Sequence, residues 1–170
     1  MPSSAGDGGG AVRRRFIVGV ALAGGAVGLL SGCTAVDLPL AGVRAGANGA
    51  PYALLRPCGD DSYRTPGLDG SVGEGSVTGW LVKKTKLSGD ADFPLFSPPA
   101  AWGARHRGTQ RLLPKHHYTL SFGHYVTGDS YNGTVTFTAA DLDALKYGQV
   151  WADGRAMSLR DFEELAESSC

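Results

Sequence analysis

From Tyr52 onward the chain runs in short stretches where large apolar side chains alternate with small polar ones. Tyr118-Thr119-Leu120-Ser121-Phe122 and Thr134-Val135-Thr136-Phe137-Thr138 keep a period of two, which predicts strands buried on one face. Tyr52 to Arg56 and Ser76 to Val82 are rich in β-formers and predict two more. Phe93 to Ala101 holds Pro94, Pro98 and Pro99, so any strand there is short or at a sheet edge. Turn residues separate these segments: Asp60-Asp61, the run Pro66 to Gly70, and Asn132-Gly133, a strong hairpin signal.

Toward Cys170 the period changes. Thr138 can cap a helix over Ala139 to Leu145, with Asp141 at the third helical position and Gly148 near the stop. Ser158 can cap Leu159 to Glu167, where Leu159, Phe162, Leu165 and Ala166 fall on one face. The pattern predicts an all-β domain over residues 52–170. Its body is a small antiparallel β-sandwich, about residues 52–157, with one or two short C-terminal helices.

The first 33 residues follow another rule. Arg13-Arg14-Arg15 precedes an uncharged run of 15 residues, Phe16 to Leu30. A bilayer-spanning helix needs roughly 20 residues. Gly19, Gly24, Gly25 and Gly28 each cost a helix ~1 kcal/mol relative to alanine. The run therefore predicts a cleaved signal peptide over residues 1–32 rather than a membrane span. Leu30-Ser31-Gly32-Cys33 resembles the lipobox of bacterial lipoproteins. That resemblance implies that Cys33 carries a diacylglyceryl group on sulfur and becomes the first mature residue. It also makes the membrane a partner, with the domain on its extracytoplasmic face. Two acyl chains hold stably where one binds only marginally. Arg13 to Ile17 resembles the core of a twin-arginine signal as well, although Val12 stands where Ser or Thr is usual, so Sec and Tat export both stay open. Thr34 to Pro51 is rich in Ala, Gly and Asn and predicts a flexible tether over residues 33–51. Such a coil of 18 residues spans roughly 20–25 Å.

Charge narrows the partners. The chain has 16 basic and 16 acidic residues. Removing Arg13, Arg14, Arg15 and Asp7 with the signal leaves 13 and 15, a net charge near −2. Neither a nucleic-acid surface nor a polybasic membrane patch is implied. With Cys33 claimed by lipid, Cys58 and Cys170 remain as an even pair in an oxidising compartment. A bridge would close a loop of about 110 residues, worth ~4–5 kcal/mol in the chain-entropy model. Two free thiols are the alternative, and no Cys-x-x-Cys spacing suggests a metal.

Leu112 to Phe122 resembles the Leu-x-Pro-x-x-x-Tyr-x-Val-x-Val stretch of fibronectin type III domains. This implies an immunoglobulin or fibronectin III-like sandwich in which Tyr118 is structural, its hydroxyl bonding backbone upstream. The layout is also similar to small secreted lipoproteins of actinobacteria. Arg56-Pro57-Cys58-Gly59-Asp60, the Tyr118 strand, Val150-Trp151-Ala152-Asp153-Gly154 and a helix ending in Cys170 carry that likeness. It implies no activity.

Candidate chemistry is sparse. Of His106, His116, His117 and His124, only His116 and His124 share the Tyr118 face, and eight residues set them about 26 Å apart on a strand. Surface or strand-end histidines are expected, with no metal and no cofactor. Gly128-Asp129-Ser130 is similar to the Gly-Asp-Ser of secreted lipases and esterases, but no histidine follows His124 as a downstream base, and Gly-x-Ser-x-Gly is absent. Asp60, Asp61, Asp69 and Glu74 are turn-like carboxylates. Asn132-Gly133-Thr134 fits a glycosylation sequon, for which the Asn-Gly turn is the better reason. Trp80 lies mid-strand and belongs to the core, while Trp102, in a loop beside Arg105 and Arg107, is the candidate for partner contact. The expectation is a membrane-anchored, non-enzymatic binding or structural module for an envelope protein or component. The alternative is a small secreted hydrolase using the loop carboxylates. A solute-binding subunit is disfavoured, since one domain lacks the two lobes that close around a ligand.

Overall fold

The computed structural model describes residues 34–170 except 48, 74, 75, 84, 85, 127 and 128. The signal peptide, the lipobox, Cys33, Glu74 and Gly128 lie outside the described residues. The larger sheet contains β1 (Val36–Leu38), β4 (Ser62–Val72), β5 (Ser76–Leu81), β8 (Arg105–Arg107), β9 (His117–His124) and β10 (Tyr131–Thr138). Their order is β1-β10-β9-β4-β5-β8, and β6 (Leu87–Ser88) pairs with the start of β4. The smaller sheet contains β2 (Ala41–Ala45), β3 (Pro51–Leu55), β7 (Ala91–Pro94), β11 (Gln149–Ala152) and β12 (Arg155–Ser158), in the order β12-β11-β2-β3-β7. The β1–β10 pair is parallel, and the other pairings are antiparallel. The fold is mostly β, in two sheets that share one core.

That core follows from the alternation along the strands. Tyr118, Leu120 and Phe122 on β9, with Val135 and Phe137 on β10, are buried. They meet Val43, Ala53, Leu55 and Phe93 of the smaller sheet and Leu40 just before β2. Trp80 is fully buried, packs edge-on against Phe93 at 5.7 Å, and donates its indole N–H to the Leu95 carbonyl at 2.7 Å. Its single polar atom is thus satisfied inside the core. Thr138 and Ser158 cap α1 (Ala139–Asp143) and α2 (Leu159–Ser169), each accepting from the backbone N–H three residues on. Phe162 and Ala166 of α2 are buried, and Phe162 packs with Leu54, Val150, Ala152 and Met157 on the outer face of the smaller sheet. Leu159, expected on the same face, stays 38 % exposed.

The stretch expected to be a tether differs. Residues 36–38 and 41–45 are β1 and β2, and Leu40, Ala41 and Val43 have no exposed surface. The domain therefore starts well before Tyr52. The physical reason is that β2 is covered on both faces. Ala41 and Val43 turn into the shared core, while Gly42 turns toward α2. A Cβ on Gly42 would lie 2.8 Å from Val150 Cγ1 and 3.3 Å from the Phe162 ring. Small residues here permit close packing, a role composition alone does not separate from disorder.

Asn132-Gly133 differs as well. The dipeptide lies within β10, opposite Gly123 and Phe122, and not between β9 and β10. A Cβ on Gly133 would collide with Phe122 Cε1, so the Phe122 ring occupies the space above this glycine. The run Pro66 to Gly70, read as a turn, lies inside β4. A register shift between Arg64 and Gly67, with Thr65 at φ 50°, makes a bulge there, where a proline removes no regular ladder bond.

Cys58 and Cys170 form a disulfide with Cα atoms 5.5 Å apart across 112 residues of sequence. A loop of that length corresponds to ~4–5 kcal/mol in the chain-entropy model. It fastens the end of α2 to the segment after β3.

Overpacking at the Phe122–Gly133 pair gives a direct check. Gly133→Ala should lose about 1–3 kcal/mol in urea denaturation. Adding Phe122→Leu should recover part of that loss, because the clash is with the ring. No recovery would mean that Gly133 serves something other than the ring above it.

Candidate functional site

β9 runs antiparallel to β10 and β4, and β1 runs parallel to β10. The starts of β1, β4 and β10 and the end of β9 therefore meet at one pole. A groove of about 650 Å³ opens there, lined by Val36, Leu38, Val126, Asp61, His124 and Tyr131 and by the disulfide.

Its polar groups form one cluster. His124 is 6 % exposed, and its Nδ1 lies 2.6 Å from the Ser62 carbonyl. A carbonyl only accepts, so Nδ1 carries a proton. Nε2 faces Asp61 Oδ2 at 3.9 Å. The Tyr131 hydroxyl accepts from the Cys58 N–H at 2.9 Å and donates to Asp61 Oδ2 at 3.2 Å, while its ring stacks on His124 at 5.1 Å. Burial pushes the Tyr131 phenol upward, the bond from the Cys58 N–H opposes this, and the charge of Asp61 adds to it. The phenol therefore remains protonated and a donor at neutral pH. This cluster latches the loop that carries Cys58 onto β9 and β10. His124 ends β9 and His116 immediately precedes it, so both stand at strand ends as expected, but both are buried, on the side of Tyr118, Leu120 and Phe122.

The same geometry does not assemble a serine relay at this groove. A nucleophile–base–acid relay needs the base nitrogen facing the hydroxyl and the acid behind the other nitrogen. Here the Ser130 hydroxyl donates to the Val126 carbonyl at 2.8 Å, Nδ1 of His124 is held by backbone, and Asp61 stands on the Nε2 side. Asp69 pairs with Arg107 across β4 and β8. His106 Nδ1 contacts Gln110 Oε1 at 3.0 Å. Among the described residues no three His, Cys, Asp or Glu side chains converge as metal ligands. A second cleft of about 560 Å³ lies at the opposite pole beside Leu112, Pro114, Lys115 and Asp143, with no histidine in its lining.

Trp102, Arg105 and Arg107 do not form an exposed contact surface together. Trp102 is half-buried and meets Phe93 at 5.1 Å and Tyr63 at 6.5 Å, both edge-on, so it caps the core. Arg105 and Arg107 are exposed on β8, the edge strand of the larger sheet. Charges there oppose pairing with another chain. Tyr118 is buried, and its hydroxyl accepts from the Leu113 N–H at 2.8 Å and donates to the Arg111 carbonyl at 3.3 Å.

Sequence reasoning missed the Arg56 cluster. Arg56 is 9 % exposed at the end of β3. It grips Glu163 of α2 through Nε and Nη2, both at 2.8 Å, and Asp92 of β7 through Nη1 at 2.8 Å. Burial works against its charge, but the bonds and charges of Glu163 and Asp92 outweigh that and hold the guanidinium more firmly protonated than usual. These partners lie 107 and 36 residues away, so no local motif announces them. Comparison with protein families, with curated proteins and with solved structures finds no match to this chain.

Arg56→Ala should cost about 2–4 kcal/mol in urea denaturation, since it strips a buried anchor from two carboxylates. The figure lies at the lower end for buried pairs because Asp92 and Glu163 keep 44 % and 41 % of their side-chain exposure. A loss under about 0.5 kcal/mol, the level of ordinary surface substitutions, would remove the cluster from the account of stability.

Alkali gives a second check. Burial, with the charge of Asp90, pushes the Tyr63 phenol from 10 up to about 12, and burial also raises Tyr118 and Tyr131. The folded state thus holds these protons above the pH at which the unfolded chain releases them. The contribution of Tyr63 to stability is complete below pH 10 and is lost as pH rises through about 12, and Tyr118 and Tyr131 act in the same direction. The urea midpoint should fall across that window while phenolate absorbance rises. A midpoint unchanged through it would contradict the burial of Tyr63.

Proposed function

We propose that this chain is an extracytoplasmic lipoprotein, lipidated on Cys33 after removal of residues 1–32, with a β domain that acts as a non-enzymatic binding or structural module of the bacterial envelope. The observation that carries this is the order Arg13-Arg14-Arg15, the apolar run Phe16 to Leu30, and Leu30-Ser31-Gly32-Cys33. The Cys58–Cys170 bridge supports it, because such bonds persist in oxidising compartments. The groove supports the non-enzymatic part, since its histidine, tyrosine and aspartate are spent on backbone and on one another.

The sandwich is read as immunoglobulin or fibronectin III-like. β2, β3 and β7 take the places of strands A, B and E, while β4, β9 and β10 take those of C, F and G. The Tyr118 hydroxyl bonds on β9 favour the same assignment. On this assignment β11, β12 and α2 are additions at the free side of β2.

Cys33→Ser tests the reading, because a serine oxygen cannot form the thioether. The variant should leave the membrane fraction, as unprocessed precursor or as soluble product. Normal processing with retained membrane fractionation would defeat it.

A further inference from the structure

We infer that the pole carrying Val36 of β1 and Tyr125 and Val126 after β9 is seated in the lipid headgroup layer, so that the domain is held against the membrane in one orientation. This rests on lipidation of Cys33. Two residues, Thr34 and Ala35, separate Cys33 from β1. Three fully extended residue steps reach at most about 11 Å. Val36 cannot drift from that position, because it pairs with Tyr131 and its N–H bonds the Ser130 carbonyl at 3.2 Å. The lipid anchor and this pole are therefore at most about 11 Å apart. The long tether expected from composition would have allowed any orientation. β1 removes that freedom.

The side chains at this pole suit the location. Val36 is 60 % exposed, Val126 45 % and Tyr125 43 %. Val36 and Val126 line the same groove, and Tyr125 follows β9 directly. The Tyr125 ring lies under the Arg64 guanidinium at 5.5 Å, and its hydroxyl donates to Asn132. An apolar ring with a polar tip is the side-chain type enriched at membrane interfaces. Charge at the pole is mixed. Arg64, Lys83 and Lys86 stand near the first residues of β4, and Asp37, Asp60 and Asp129 face the same end. Attachment by this face is therefore apolar and does not require anionic lipid. The opposite pole, with Val72 and Val77 at the β4–β5 hairpin, points away from the membrane.

The test uses the lipidated protein, reconstituted into phosphatidylcholine vesicles with lipids brominated near the headgroup. Val126→Trp and Val36→Trp place a reporter at the pole, and Val72→Trp is the distal control. The native tryptophan background is subtracted, and near-UV circular dichroism with an intact disulfide establishes folding of each variant. Both polar reporters should be quenched and the control should not. Inserting ten Gly-Ser residues between Thr34 and Ala35 should abolish the quenching while the protein still floats with vesicles. Replacing half the lipid with phosphatidylglycerol should leave quenching unchanged. Flotation without quenching at either polar reporter, or equal quenching at Val72→Trp, would overturn the orientation and leave the anchor standing, with the pole then free for a protein partner. Failure to float would overturn both the anchor and the orientation. The two valine positions are exposed on different segments, so one misfolded variant does not remove the test.

Discussion

A guanidinium held out of water is the constraint on which the joint between sheet and helix depends. Arg56 sits at the end of β3 with its side chain buried and cannot shed its charge. Desolvation of that charge is tolerated only while Glu163 and Asp92 remain in place. One comes from α2 and the other from β7, so a single side chain sets the position of two elements. A helix of 11 residues is marginal in isolation, and α2 is stable here because its environment fixes it. Phe162 fills the space over Gly42, Glu163 closes on Arg56, and Cys170 is bonded to Cys58. The three contacts recur along one helix, so loosening any of them weakens the geometry of the others.

The effect passes to the groove through two residues of chain. Arg56 is followed by Pro57 and then Cys58, whose N–H is bonded by Tyr131. Tyr131 in turn holds Asp61 and stacks on His124. The loop at the groove is thus fixed from both ends, by the salt cluster and by the phenol. Groups that look reactive in a sequence are engaged in satisfying buried polar atoms, which would otherwise cost about 1–3 kcal/mol each. What the groove leaves open is its shape and the exposed valines at its rim.

Local features were legible in the sequence and relational ones were not. The alternation of residues 118–122 and 134–138, and the caps Thr138 and Ser158, depend on neighbours within four residues, and β9, β10, α1 and α2 follow them. Trp80 and the Cys58–Cys170 pairing were also accessible, the first from its strand and the second from the count of cysteines. Gly42 and Gly133 misled because a glycine in a flexible tether or a turn and a glycine beneath a ring are the same letter. The rings belong to Phe162 and Phe122, 120 and 11 positions away. Asp61 and His124 were visible only as separate residues, and the β4–β9 pairing is what brings them to one pole. A single bulge at Thr65 likewise hid Pro66 within a strand.

A short covalent leash changes what a surface-anchored domain can do. On a long flexible tether, every face of a domain samples the surroundings, and specificity must come from contact chemistry alone. Under the proposed lipidation of Cys33, with β1 beginning three residues later, one pole is committed before any partner arrives. In that proposed arrangement rotational freedom is spent in advance, so binding at the exposed pole loses less of it. Val72 and Val77 are exposed where the end of β4 pairs with the start of β5. The charged edge strand β8 resists strand addition along the side of the larger sheet. In that proposed orientation the ends of β4 and β5 that pair through Val72 and Ser76, and the cleft beside Asp143, lie on the side away from the membrane.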